Sequence, residues 1–302
     1  MKKVEIIGAS IVDVLVSPAE ESVFQTGSYA ADNIVMTFGG DALNEATVLQ
    51  GLGVPVYLET VVGSDSAGES ICRHMEEVGL EKSGVHIKEG MRTSVNVVLV
   101  KKNGERCFLT NPHGSQRKLQ AEDIAMPFSQ EIGILCFASI FVFPHIKTGE
   151  LKNIFEQAKT QGIIVCADMT KRKNNETVED MAEALQYVDY LFPNEEEAML
   201  FTGEDSTEKA AQALFDAGVG TVVIKCGARG CYVKNSERSF WASAKPNVQC
   251  VDTTGAGDSF VAGFLCGLAK ELPLEKCVEL ANWCGSKAVQ KIGATTWVES
   301  EV

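Results

Sequence analysis

DTTGAGDSF, Asp252 to Phe260, sets three small residues between two acids and then runs into an apolar helical pattern. Phe260, Val261, Phe264, Leu265 and Leu268 recur at helical spacing, which predicts a helix starting near Gly257 or Asp258 with one apolar face. Gly255, Ala256 and Gly257 offer little side chain, so their N–H groups and the helix dipole can gather round an anion such as phosphate. A carboxylate beside an anion site repels the anion. The conflict disappears if Asp258 faces a second substrate and accepts its hydroxyl proton while the N–H groups hold a phosphoryl group in transfer. A helix cap and a tight turn account for the same residues without any chemistry.

Outward from this stretch, short runs rich in Val and Ile alternate with segments of helical period. VEII precedes DALNEATVLQGL, ILCFA precedes TGELKNIFEQAKTQG, and IIVCA precedes VEDMAEALQYV. That alternation predicts an α/β fold, doubly wound, with a mostly parallel central sheet and helices on both faces. Residues of about 14–37 and 92–111 break the rhythm. In the second of these, TSVNVVLVKKNGERCFLT reads as strand, Asn103-Gly104 turn, strand. Two such inserts can build a small β lid over the sheet edge, or they can be edge hairpins of the main sheet. No internal repeat or linker divides residues 1–302, so the chain is expected to form a single domain with its lid.

The 302 residues carry a formal net charge of -14, which excludes sequence-independent binding to nucleic acid or an anionic membrane. Any anionic ligand must then be held by local donors. The N-terminal MKKVEIIGASIVD has too short an apolar run for a signal peptide or a membrane span. Ten scattered cysteines without a C-x-x-C pair read as buried thiols in a reducing cytosol, and the four histidines lack metal-ligand spacing. A cytoplasmic location is expected. No G-x-G-x-x-G follows the first strand and no P-loop occurs, which argues against a dinucleotide oxidoreductase.

TFGGDALNEATVLQGLG, Thr37 to Gly53, again puts paired glycines before a helix, with Asp41 and Asn44 available to recognise hydroxyls. Together with VDTTGAGDSF downstream, it closely resembles the two signatures of the PfkB/ribokinase family of carbohydrate kinases, in that family's order and across essentially the whole chain. The resemblance implies a ribokinase-like fold and ATP-dependent phosphorylation of a primary sugar hydroxyl. It assigns Asp258 as catalytic base, residues 255 to 257 as anion hole, and Asp13, Gly39, Gly40 and Asn44 as the sugar site. It also implies Mg²⁺ supported, through water, by Asn194 and Glu197 of PNEEEA, and nucleotide contacts from Lys225, Gly227 and Gly230 of VIKCGARGCYV. Asn282 of ANWCGSKAV falls beside the adenine. DMTKRK brings Lys171, Arg172 and Lys173 to the C-terminal edge of the sheet, where one of them, Arg172 being the candidate named, can clamp the triphosphate or all three form a solvated basic loop. Asp252 and Thr254, with the loop of residues 291–293, occupy positions where several members hold K⁺. Homodimerisation through the lid is a family habit.

Plainer readings stand beside these. Asn194 and Glu197 suit an acidic first helical turn, Asp13 a strand-end turn, and Asp65 of VGSDSAGE a cap of the next helix. Phe108, Phe141 and Phe143 could wall a nucleoside pocket or simply fill the core. Arg92 and Arg106 could serve an acceptor that is already phosphorylated. A non-catalytic sugar- or nucleotide-binding regulator is the alternative outside enzymes, but such a protein has no need of a base.

Overall fold

The computed structural model describes residues 1–102 and 106–298. The turn expected at Asn103-Gly104 and the side chain of Arg106 lie outside the described residues. In chain order, the first half contains β1 (Lys3–Ile7), β2 (Ile11–Ser17), α1 (Val23–Thr26), β3 (Asn33–Gly39), α2 (Asp41–Gly51), β4 (Val56–Gly63), α3 (Ser66–Glu77), β5 (Val85–Lys88), β6 (Val95–Val100) and β7 (Arg106–Thr110). There follow β8 (Ile132–Ile140), α4 (Thr148–Thr160), β9 (Ile164–Met169), α5 (Val178–Leu185), β10 (Tyr190–Phe192), α6 (Glu195–Thr202) and α7 (Thr207–Asp216). The chain continues through β11 (Thr221–Lys225), β12 (Cys231–Asn235), β13 (Ser239–Ala242), α8 (Ala256–Ala269) and α9 (Leu274–Ala288).

Nine strands form the main sheet in the order β13-β12-β11-β10-β9-β8-β1-β4-β5, parallel from β11 through β5, with an antiparallel edge at β12 and β13. Alternation along β8 shows why both faces are covered. Ile134, Cys136 and Ala138 join the core beneath α2, α3, α8 and α9, while Leu135, Phe137 and Ile140 join the core beneath α4, α5, α6 and α7. This is the doubly wound architecture expected from the rhythm of the sequence. Among the described residues no helix is long and apolar enough to cross a membrane.

Strands β2, β3, β6 and β7 make a separate four-stranded sheet in the order β3-β2-β6-β7. It is built from the two inserts but reaches further than their expected bounds, since β2 starts at Ile11 and β3 ends at Gly39. Asp13 therefore sits inside a strand, opposite Thr37, and not in a turn. The two sheets are tied by Asp65. It caps α3 through Gly68 N–H, as expected, and also accepts from the backbone N–H and the hydroxyl of Thr93, two residues before β6 (2.9 and 2.6 Å).

Helix α8 departs from the one-face expectation. From Ser259 to Ala269 it is buried on every side, because α2 and α9 flank it and the sheet lies beneath. Its glycines allow α9 to come close: a Cβ on Gly267 would lie 2.8 Å from Cys277 Cα, and one on Gly263 would lie 2.8 Å from the Leu280 carbonyl. Gly267→Val should therefore overpack this contact and cost about 1–3 kcal/mol. Calorimetry should register this as a melting temperature several degrees lower, and an unchanged melting point would show the contact to be slack.

Candidate active site

The two glycine-bearing stretches meet although they are 214 residues apart, because α2 and α8 pack side by side and bring their N-termini together. Asn44 Nδ2 donates to Asp258 Oδ2 at 2.7 Å. Gly255 is the N-cap of α8, with φ of 69°, and a Cβ there would sit 2.6 Å from Ala294. The helix therefore begins at Ala256, slightly before the expected start, and Asp258 is the third helical residue. The N-cap is Gly255, so Asp258 does not hold the cap position of the plainer reading. In the first turn of α8, Ala256 N–H donates to the Thr253 carbonyl at 3.3 Å, whereas the N–H groups of Gly257 and Asp258 find no backbone acceptor among the described residues.

Lys225 ends β11 beside this turn, its Nζ 3.5 Å from where a Cβ on Gly257 would be. A backbone bridge between Asn194 and Lys225, with Lys225 N–H donating to the Pro193 carbonyl at 2.8 Å, stitches α6 to β11. The Lys225 ammonium pairs with both oxygens of Asp168 at 2.8 and 2.6 Å, and both side chains are largely buried. Lys225 thus lies within a cluster of buried acids, two residues before Gly227. Burial works to discharge it, but Asp168, Glu197 and Asp258 outweigh burial and raise its pKa.

The acids around Lys225 are also raised, which for them favours the neutral form. Burial pushes Asp258 up to about 6, with Asn44 and Lys225 opposing and Asp168 adding to the rise. Glu197 is pushed up to about 7, again chiefly by burial. Asp168 is raised by burial against the pull of Lys225, and Asp41 is driven well above the carboxylate range by burial and then by Asp258. Asp41 accepts from the Ser139 hydroxyl, and Ser139 holds φ of 62° at the end of β8. Backbone in that region carries strain of about 1–3 kcal/mol.

Asn194 and Glu197 form a complete capping box: Asn194 Oδ1 accepts from Glu197 N–H and Glu197 Oε2 accepts from Asn194 N–H, each at 2.8 Å. That leaves Glu197 one oxygen toward Lys225. No group of three metal-ligating side chains occurs among the described residues. A carboxylate with a single open oxygen fits Mg²⁺ that keeps most of its waters, not a protein cage.

The sugar-site candidates gather on the small sheet and the start of α2. A Cβ on Gly39 would come 2.3 Å from Asp13 Oδ2, and Gly40, with φ of 94°, lets the chain pass the Ala9 carbonyl. Asp252 Oδ1 accepts from Thr254 N–H at 2.8 Å and its Oδ2 from Gly293 N–H at 2.9 Å, tying together the two loops considered for K⁺. Asn282 lines a cavity of about 260 Å³ between β13 and α9, with Phe240, Ala242, Ser243, Lys245 and Val278 among its neighbours. Gly227 lies in open space, whereas Gly230 permits close approach to the Ala242 carbonyl. Arg172 donates to the Glu176 carbonyl at 3.0 Å. Phe143 is buried against Phe137, Phe141 packs on Phe201, and Phe108 remains exposed on the small sheet.

Asp168, Ser139 and Asn96, a neighbour of Asp13, escaped the sequence reading. Asp168 left one signal, an acid closing the buried run IIVCAD, where a charge needs a partner.

A family model described as pfkB family carbohydrate kinase matches residues 1–301. Fructoselysine 6-kinase of Shigella flexneri is 27% identical over 258 residues, covering 85% of this chain and 91% of that protein. Ribokinase of Arabidopsis thaliana, solved with ribose and ATP, superposes with a TM-score of 0.81 at 24% identity, over 98% of this chain and 95% of that one. A fructokinase of Vibrio cholerae O395 in its fructose-, ADP- and potassium-bound form gives 0.81 at 25% identity, over 99% and 95%. With the fold, the order of the two signatures and this match in agreement, the chain belongs to the pfkB family of carbohydrate kinases.

Proposed function

We propose that the protein transfers the γ-phosphoryl group of ATP to a primary hydroxyl of a monosaccharide, with Asp258 as general base. The observation that carries this reading is the meeting of Asn44, Asp258 and the Lys225 ammonium at the open first turn of α8. Asp258 accepts the hydroxyl proton as the sugar oxygen attacks phosphorus and ADP leaves. The N–H groups of residues 255 to 257 and Lys225 hold the charge on the transferred group. Asp13, Gly39, Gly40 and Asn44 bind the acceptor. Asn282, Gly227, Gly230 and Arg172 line the nucleotide's path.

Mg²⁺, supported through water by Glu197 and Asn194, neutralises phosphate charge when bound. The loops joined by Asp252, with Thr254, offer backbone carbonyls to K⁺. The four-stranded sheet acts as a lid that excludes water from the transfer, and residues 1–302 work as one kinase unit. Ten free cysteines suit a cytoplasmic location. With Phe141 and Phe143 committed to packing, a free sugar is favoured over a nucleoside. Arg92 is exposed and leaves a phosphorylated acceptor less well served. A binding regulator would gain nothing from a base held near pH 6.

Asp258→Asn keeps an acceptor for the Asn44 amide but removes the base. ATP binding should persist while kcat falls by about 10²–10⁴-fold. The acceptors to assay are ribose, fructose, fructoselysine, fructose 6-phosphate and adenosine, and near-normal kcat in the variant rejects the assignment. A pH profile tests the charge cluster. Wild-type kcat/KM should fall as pH drops through about 6, where Asp258 takes up a proton. Lys225→Met removes a cation that lowers this pKa, so the acid limb should move to higher pH; a fixed limb would separate Lys225 from Asp258.

The lid also supports homodimerisation. Ile34, Met36 and Leu109 lie on the face of the small sheet turned away from Asp13 and are 67%, 56% and 57% exposed, an apolar area a second copy would cover. Sedimentation should give a dimer for the wild type and a monomer for Met36→Glu, and a monomeric wild type at assay concentration removes the proposal.

A further inference from the structure

Strand β6, VNVVLV, sets Asn96 among four valines and a leucine. Asn96 lies in parallel register with Asp13 of β2, so both side chains leave the same face of the small sheet. Its amide hydrogen-bonds the Asp13 carboxylate, and Nδ2 must be the donor because a carboxylate only accepts. Asn96 is 7% exposed, and its Oδ1 takes no hydrogen bond from the described residues. A half-satisfied amide in an apolar strand is a net cost to folding, and a valine would sit there more cheaply. What the amide supplies is the bond to Asp13. On the other side, Gly39 leaves the space that Asp13 Oδ2 occupies. The carboxylate is thus fixed in orientation by a donor and a gap. Burial raises its pKa, and the Asn96 bond opposes that rise.

We infer that Asn96 is a positioning residue for the acceptor: it aims the Asp13 carboxylate at the sugar hydroxyls, at some expense to the stability of the strand. This rests on the kinase reading and on Asp13 as a ligand of the acceptor. Valine and threonine have nearly the same shape and differ in one hydroxyl donor, so they isolate the bond. With ATP and the best acceptor among ribose, fructose and fructoselysine, Asn96→Val should raise the acceptor KM about tenfold or more. KM for ATP should stay within about twofold, and the melting temperature should be equal to or above wild type. Asn96→Thr should recover most of the acceptor KM. A purely structural role predicts the reverse, with a lower melting temperature and both KM values moving together or not at all. An unchanged acceptor KM in Asn96→Val, or a threonine variant no better than the valine one, overturns the inference while leaving the kinase reading intact. A wild-type protein that phosphorylates none of the three sugars overturns both.

Discussion

The Lys225 ammonium is shared by Asp168, Glu197, Asp258 and Asp41, and the geometry of the site follows from that unequal division. Each acid alone would lose charge on burial, and a buried lysine alone would lose its proton. Together they fix one another: Asp168 takes both close contacts, and the acids farther from Nζ stay only partly compensated. Asp258 consequently sits at about 6, in the range where the base role proposed for it would be served, since a base must be strong enough to take a proton and still ionised. The strained backbone at Ser139 fits the same pattern, since its hydroxyl is turned toward Asp41 instead of following the strand.

Buried acids also change the meaning of the formal charge. Glu5 is pushed up to about 9 by burial and by neighbouring Glu59, and burial carries Glu45 well above the carboxylate range. Glu5 is therefore neutral at physiological pH, and burial drives Glu45 and Asp41 in the same direction, so the folded protein is less negative than the -14 of its composition. Repulsion of a polyphosphate by the whole molecule is correspondingly smaller than the composition implies, although the net sign stays acidic.

Both signatures were legible because glycine pairs before a helix act locally: the chain cannot make the Gly255 or Gly40 turn with another residue, and that need is written in the sequence itself. The alternating strands and helices were readable for the same reason, as period 2 and period 3.6 are properties of short windows. Residues that matter through a partner left little trace. Asp168 gains its role from Lys225, 57 residues on, and the bases of DMTKRK drew notice away from it. Asn96 looks like an oddity of a valine-rich strand until β2 is seen beside it. The all-round burial of α8 was hidden because its polar-side residues are Ser, Ala, Gly and Cys, small enough to pass for surface yet suited to close helix contact.

The 214 residues between Asn44 and Asp258 set an order of assembly. Ribosomes add about 5–20 residues per second, so α2 emerges roughly 10–40 s before the helix that covers it. During that interval its apolar flank and the adjoining strands have no lid of their own, and this is the stage at which a nascent chain is most exposed to wrong partners or most in need of a holding chaperone. The same delay is protective in another respect. Lys225, Gly255 and Asp258 are all encoded late, so under the kinase reading proposed above an unfinished polypeptide that already holds Asp13 and Asn44 has no means of spending nucleotide.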